Sequence, residues 1–284
     1  MATVSFVVTS IAAMVLQNCL FNDTCKRKLK TAAHINLFNI TVYAVCILLF
    51  GGLLLRETVS AFTVLLGLLF GIVTGLGNFY KMRSLASGPM HITLLVTTSS
   101  MIIPTMSGIF FGETFSLAKL CVVAVLIGFI YLSIGKGSDA KISKKWTLYC
   151  VLAFVFQGTV GVIQKIHQSS AHKAEVSGFL LVAFVVAMIF CFFRSRGSGQ
   201  TIKLERKTVL IGLLCGGCTF GMNYINLKLS GLLPSQLFFP LINGSAIILS
   251  SVMSVIVFKE TLSKRQMIGL VGGIISLIGI CLVP

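Results

Sequence analysis

Ten stretches of this 284-residue chain are apolar over nearly the length needed to cross a bilayer, and that limits the fold more than any motif. A helix needs about 20 apolar residues to span about 30 Å of hydrocarbon. The stretches fall near 3–21, 33–54, 60–80, 88–111, 117–134, 147–166, 177–193, 208–229, 234–258 and 264–283, with short connections between them. Runs such as SGFLLVAFVVAMIFCFF (177–193) do not alternate. That argues against a membrane barrel, whose strands alternate apolar and polar residues over about 10 positions. The first stretch has no basic segment before it and no small-residue cleavage site, so it is expected to be a retained span. The predicted class is an all-α integral membrane protein with ten transmembrane helices.

Composition removes the main alternatives. Hydrophobic residues make up 56% of the chain and charged residues 11%, against about 25% charged in soluble domains. A soluble protein so apolar could not cover its surface, and disorder requires low hydrophobicity. The net charge of +16 comes from short basic runs between apolar stretches. It therefore reads as an orientation signal rather than a nucleic-acid surface. Loops after odd-numbered spans hold eighteen Lys and Arg, and the other side holds five, including Lys165 and Lys228. Lys81 and Arg83 are counted among the eighteen, as part of a loop after the third span. By the positive-inside rule both termini lie outside. The nine Cys lie mostly in apolar stretches and read as small hydrophobic residues. Cys215 and Cys218 have no partners at zinc spacing, so no metal and no cofactor is expected.

The chain also repeats itself. GLLFGIVTGLGN (67–78) matches GLLCGGCTFGMN (212–223) at an offset of 145, pairing Gly67/Gly212, Gly71/Gly216, Thr74/Thr219 and Asn78/Asn223. The register continues through Phe79/Tyr224, Arg83/Lys228 and Pro89/Pro234. FGETFS (111–116) matches FKETLS (258–263), and VLQN (15–18) matches VIQK (162–165). The expected halves are 1–140 and 141–284, five spans each. Five is odd, so the second copy enters the membrane from the opposite side. Two inverted halves around a midplane site are a signature of secondary transporters that work by alternating access.

Ten spans in a 5+5 inverted repeat, with Gly-Glu-Thr (112–114) or Lys-Glu-Thr (259–261) closing the fourth and ninth, resemble the drug/metabolite transporter superfamily and its EamA-like permeases. The resemblance covers almost the whole chain. It implies a permease of the cell membrane, here a bacterial plasma membrane, with both termini in the cytoplasm, opposite to the loop charges. The family's aromatic-Gly-Asn pattern in the first span is missing; Gln17-Asn18 is nearest to it.

Polar side chains inside spans face a bundle interior or a cavity. The candidate substrate-binding residues are Asn18, Thr74, Asn78, His91, Gln164, Lys165, Thr219, Asn223 and Asn243. Each has a plainer reading as an interhelical hydrogen-bonding group. Lys165 has two further readings, snorkelling to the interface or anchoring a substrate carboxylate or phosphate. Gln17, Gln157, Asn226 and Gln236 are further intramembrane polar groups. Pro104 and Pro240 are expected to kink the fourth and ninth spans along the pathway. Trp146 and Tyr149 are expected as interfacial anchors. Glu113 and Glu260 read as charges at the starts of the fifth and tenth spans, where Ser116 and Ser263 cap the helices.

All seven acids (Asp23, Glu57, Glu113, Asp139, Glu175, Glu205, Glu260) fall at span ends or in loops. Without an embedded carboxylate, exchange of protons for lipophilic cations is disfavoured. The expected function is a secondary transporter of a small polar metabolite such as an amino acid or organic anion. Cationic drug or choline-like efflux, a lipid-linked sugar flippase and a non-transporting receptor or scaffold are the alternatives. No enzyme motif is found. The expected partners are a small-molecule substrate and membrane lipids.

Overall fold

The computed structural model describes residues 2–27, 32–54, 58–87, 90–114, 116–133, 143–196, 204–258 and 263–283. These form only helices: α1 (Ala2–Arg27), α2 (Ala32–Leu54), α3 (Ala61–Ser87), α4 (Met90–Ser99), α5 (Ile102–Ser107), α6 (Leu117–Ser133), α7 (Lys144–Ser169), α8 (Val176–Arg196), α9 (Arg206–Leu232), α10 (Ser235–Phe258) and α11 (Lys264–Leu282). A 3-10 turn, Gly108–Phe111, extends α5. Among the described residues seven helices are long and apolar enough to cross a membrane: α1, α2, α3, α7, α8, α9 and α11. Three apolar segments are shorter, Val96–Phe111, Leu117–Ser133 and Ser235–Ser250. They coincide with the expected fourth, fifth and ninth spans. Side chains such as Leu48, Leu65 and Phe110 are turned outward, as helices solvated by lipid require.

The fourth span is not one helix. It breaks at Ser100–Met101, between α4 and α5. Pro104 has no N–H for the Ser100 carbonyl, and its ring crowds that carbonyl. The Ser100 carbonyl instead accepts the Ile103 N–H at 3.1 Å. Hydroxyls cover neighbouring carbonyls, Ser100 Oγ on Thr97 O at 2.6 Å and Thr105 Oγ1 on Met101 O at 2.6 Å. Such local partners are what a broken helix needs in hydrocarbon. The ninth span behaves differently, since α10 continues through Pro240.

The chain divides into two compact units. One comprises Met1–Gly75 with Ser170–Leu229, the other Leu76–Ser169 with Ser230–Pro284. Each unit thus draws helices from both expected halves of the sequence.

In the first unit α2 packs against α8. Glycines bring α3 onto α8 and α9 onto α2. A Cβ on Gly67 would meet Val182 and the Phe179 carbonyl, and one on Gly71 would meet Val186 and the Ala183 carbonyl. On the other helix pair, a Cβ on Gly212 would meet Thr41 and Phe38, and one on Gly216 would meet Val45 and the Val42 carbonyl. The partners correspond one to one at an offset of 141: Phe38/Phe179, Thr41/Val182, Val42/Ala183 and Val45/Val186. Tyr43 and Phe184 share that offset, and their rings touch with centroids 5.6 Å apart.

The second unit has the same character. There α6 packs against α11, and α5 against α10. Val123, Leu126 and Ile130 of α6 form one core with Leu270, Leu277 and Ile280 of α11 and Ile248 of α10. The buried positions of α6 (Val123, Leu126, Ile130, Ser133) match those of α11 (Leu270, Gly273, Leu277, Ile280) at an offset of 147. The expected caps are present at corresponding places. Ser116 Oγ accepts the Lys119 N–H at 3.4 Å. Ser263 Oγ accepts Gln266 N–H at 3.3 Å, and Gln266 Oε1 accepts Ser263 N–H at 3.0 Å, a reciprocal capping box.

Two expectations need correction. Trp146 is not an interfacial anchor; it is buried, and its indole N–H donates to Thr93 Oγ1 of α4 at 3.0 Å. An indole turned inward needs such a partner. Lys81 and Arg83 do not lie in a loop, because α3 runs on to Ser87.

Candidate functional site

Two polar seams, one in each unit, hold Asn78, Thr219 and Asn223 of the expected site residues. In the first unit, Ser10 Oγ of α1 donates to Asn226 Oδ1 of α9 at 2.5 Å, and Gln17 Nε2 donates to Thr219 Oγ1 at 2.7 Å. Seven residues forward on α1 match seven residues back on α9, so the helices run antiparallel in fixed register. Asn226 Nδ2 also reaches Met14 Sδ at 3.7 Å. Thr219 Oγ1 donates to the Cys215 carbonyl at 2.7 Å, and Asn223 Nδ2 to the Thr219 carbonyl at 2.8 Å. The structure thus gathers Thr219 and Asn223 with Gln17, and Asn18 lies half-buried on the same helix as Gln17.

In the second unit the end of α3 meets α7. Gln157 Nε2 donates to Asn78 Oδ1 at 3.2 Å. Tyr80 stacks on Phe156 at 5.8 Å and lies 6.1 Å from Tyr149. By the sequence register these helices are the counterparts of α9 and α1, but the hydrogen bonds differ: Gln157 aligns with Ser10, whose partner Asn226 is the counterpart of Lys81. Asn78 and Asn223, aligned at offset 145, each lie in one of the two seams.

The remaining candidates are dispersed. Thr74 Oγ1 of α3 is buried and has no hydrogen-bond partner among the described residues, unlike its counterpart Thr219. Gln164 is buried on α7. Asn243 Nδ2 of α10 donates to the Phe239 carbonyl at 2.9 Å, one turn back on its own helix. His91 belongs to α4, but its side chain lies outside the described residues, as does Glu260.

Lys165 departs from the snorkelling expectation. It is 6% exposed, it is ion-paired with Glu113, and its Nζ donates to the Ser230 carbonyl at 2.9 Å and the Leu233 carbonyl at 3.4 Å. Glu113 in turn does not serve the helix that follows it. Its Oε2 accepts the Ser235 N–H at 2.6 Å and its Oε1 the Ser235 hydroxyl at 3.2 Å, which caps α10. The left-handed Gly112, φ 72°, makes the turn that points Glu113 there. Gln236 completes the junction, accepting Ser116 N–H at 3.0 Å and donating to the Ser116 carbonyl at 3.3 Å.

Elsewhere in the first unit Glu175 joins the α7–α8 connection to the start of α3. Its Oε2 accepts both the N–H and the hydroxyl of Ser60 at 2.8 Å, and its Oε1 lies 2.7 Å from His172 Nδ1. Burial pushes this carboxyl up, but hydrogen bonds from Thr63, Ser60 and His172 outweigh it and hold it at about 2.

Other cations rest on aromatic rings. The Lys228 ammonium sits 4.2 Å from the Tyr224 ring centroid and 2.6 Å from its hydroxyl. The Arg83 guanidinium lies 5.5 Å from the Phe79 ring. These are the aligned pairs Phe79/Tyr224 and Arg83/Lys228, each spaced one helical turn. Sequence reasoning missed Ser10, whose serine looks unremarkable, and undervalued Gln157 and Asn226. The signal that finds them is the repeat, because each lies in the same seam as one of the aligned asparagines.

Residues 144–282 match the model of the EamA-like transporter family. A solved structure described as "Crystal structure of protein" superposes with a TM-score of 0.74, covering 99% of each chain at 14% identity. At that identity the likeness is one of fold. No curated protein matches the chain by sequence.

Proposed function

Since residues 144–282 belong to the EamA-like transporter family, we propose that the whole chain is a secondary transporter of a small polar solute, built as two inverted five-span halves. The observation that carries this reading is the register of the helix contacts. Gly67 and Gly71 approach α8 as Gly212 and Gly216 approach α2, at partners offset by a constant 141. Tyr43 touches its own counterpart, Phe184, as residues beside a two-fold axis do. The buried positions of α6 and α11 share one spacing. The family domain covers residues 144–282, and these correspondences support reading the same architecture before residue 144.

Two near-equivalent halves give two near-equivalent packings, each open to one side, and switching between them moves a solute. In this reading Asn223 and Thr219 of the α1–α9 seam, and Asn78 of the α3–α7 seam, are candidate solute-binding groups. Lys165 braces the junction of α7, α9 and α10 instead of holding cargo. Purified protein heated with amino acids, organic acids, sugar phosphates and quaternary amines tests the reading. A transported solute binds the folded state and raises its melting temperature. If no solute class shifts the melt, the reading is contradicted.

A further inference from the structure

Among the described residues, two half-buried cations have no partner for their ammonium, Lys119 in the first turn of α6 and Lys81 near the end of α3. Lys165 has Glu113 and two carbonyls. Lys228 has the Tyr224 hydroxyl and ring, and Arg83 has the Phe79 ring. Lys81 is half-buried on α3. No ion pair, side-chain hydrogen bond or ring partner engages its ammonium among the described residues. An ammonium without a counter-charge at the end of a membrane span is available to an anion.

The fold does not require that charge. At the repeat offset of 145 the counterpart of Lys81 is Asn226, a neutral amide whose needs are met by Ser10 and Met14. A neutral side chain therefore completes the equivalent seam in the first unit. Lys81 lies three residues beyond Asn78, on the same face of α3. Asn78 is exposed and holds the half-buried Gln157 amide. Tyr80 with Phe156 forms an aromatic wall at the same level of α3. One cation, two amides and an aromatic wall recognise a small anion: the ammonium supplies the charge, and the amides orient the oxygens.

We propose that Lys81, with Asn78 and Gln157, binds the carboxylate or phosphate group of the transported solute. This rests on the transporter reading above and narrows it to anionic and zwitterionic cargo. It also moves the cationic anchor from Lys165, which Glu113 neutralises, to Lys81. Neither Glu113 nor Glu175 is left to bind a cation instead. Glu113 is engaged by Lys165 and Ser235, and Glu175 by Ser60 and His172.

The test uses the full-length protein in a neutral, phospholipid-free detergent, with succinate and inorganic phosphate as anionic probes and choline and glucose as controls. Succinate or phosphate should raise the melting temperature, and choline and glucose should not. Lys81→Met should weaken the anion's affinity about tenfold or more, the loss expected for one charged hydrogen bond. Lys81→Arg should keep most of it, and Arg83→Gln should leave it unchanged. Because the charge is not needed by the fold, Lys81→Met should melt no lower than the parent without ligand. A lower melt with unaltered anion affinity would overturn the proposal, as would anion binding that survives in Lys81→Met. Stabilisation by anionic phospholipid vesicles but by neither soluble anion would mark a lipid headgroup contact and also overturn it. If choline or glucose binds and is transported while the anions are inert, the inference falls and the transporter reading stands. If no solute binds at all, both fall.

Discussion

Glu113 and Lys165 neutralise each other within the second unit, and the same carboxylate caps the first residue of α10. A buried pair of this kind is strongly destabilised when one partner is removed, by about 3 kcal/mol or more. Glu113→Gln and Lys165→Met should each lower the melting temperature sharply. The double variant should recover part of the loss, because no charge is left unpaired. Melting curves of the three variants check this. Additive losses would mean that the two side chains act independently.

The glycines of α3 and α9 differ in what surrounds them, which gives a controlled comparison. Gly216 has Val45 and the Val42 carbonyl within 3.0 Å of where a Cβ would stand, whereas Gly217 has nothing within 4 Å. Gly216→Leu forces α9 off α2 and should cost about 1–3 kcal/mol or prevent assembly. Gly217→Ala should be neutral or mildly stabilising, since alanine suits a helix better. The counterpart Gly71→Leu should resemble Gly216→Leu. Equal melting temperatures for the Gly216 and Gly217 variants would contradict the packing described.

Glu175 gives a pH dependence with a definite sign. Its folded value of about 2 lies below the ordinary 4.5. Its contribution is therefore present above about pH 4.5 and is lost as pH falls through about 2. Glu175→Gln should lower the melting temperature at neutral pH, and the gap to the parent protein should narrow between pH 4.5 and 2. A gap that stays constant with pH would show that the carboxylate charge does not matter.

Asn78 and Asn223 occupy equivalent places in the two seams. Asn78 accepts an interhelical hydrogen bond, worth about 0.6 kcal/mol on average in membranes, and Asn223 bonds one turn back on its own helix, so alanine at either position should leave the melting temperature nearly unchanged. If they face the solute, each substitution should reduce uptake into reconstituted vesicles severalfold. Full transport by both variants would remove them from the site.

Much of the fold is legible in the sequence because hydrophobic length sets the spans. The 145-residue register shows in small and polar residues, Gly67/Gly212 and Asn78/Asn223, which tolerate little substitution at close helix contacts. The correspondence between α2 and α8 is not legible. Phe38/Phe179 and Val45/Val186 are ordinary lipid-compatible residues whose match becomes visible only through the glycines they touch. The break before Pro104 is foreseen as a kink, since a missing N–H acts on the carbonyl four residues earlier whatever the context. The partner of Lys165 is not foreseeable, because Glu113 lies 52 positions away and is brought near by the Gly112 turn. For the same reason a loop charge such as Lys81 is misassigned when a helix runs one or two turns past its apolar stretch.

The most direct measurement is solute counterflow. Proteoliposomes carrying the full chain are loaded with an excess of one unlabelled amino acid, dicarboxylate or sugar phosphate, then diluted into a trace of the labelled form. An alternating-access carrier should draw the label inward to a transient overshoot above its equilibrium level for at least one of these solutes, and Asn78→Ala should lower that overshoot. Label that rises only to equilibrium with every solute, at the rate of protein-free liposomes, would contradict the account.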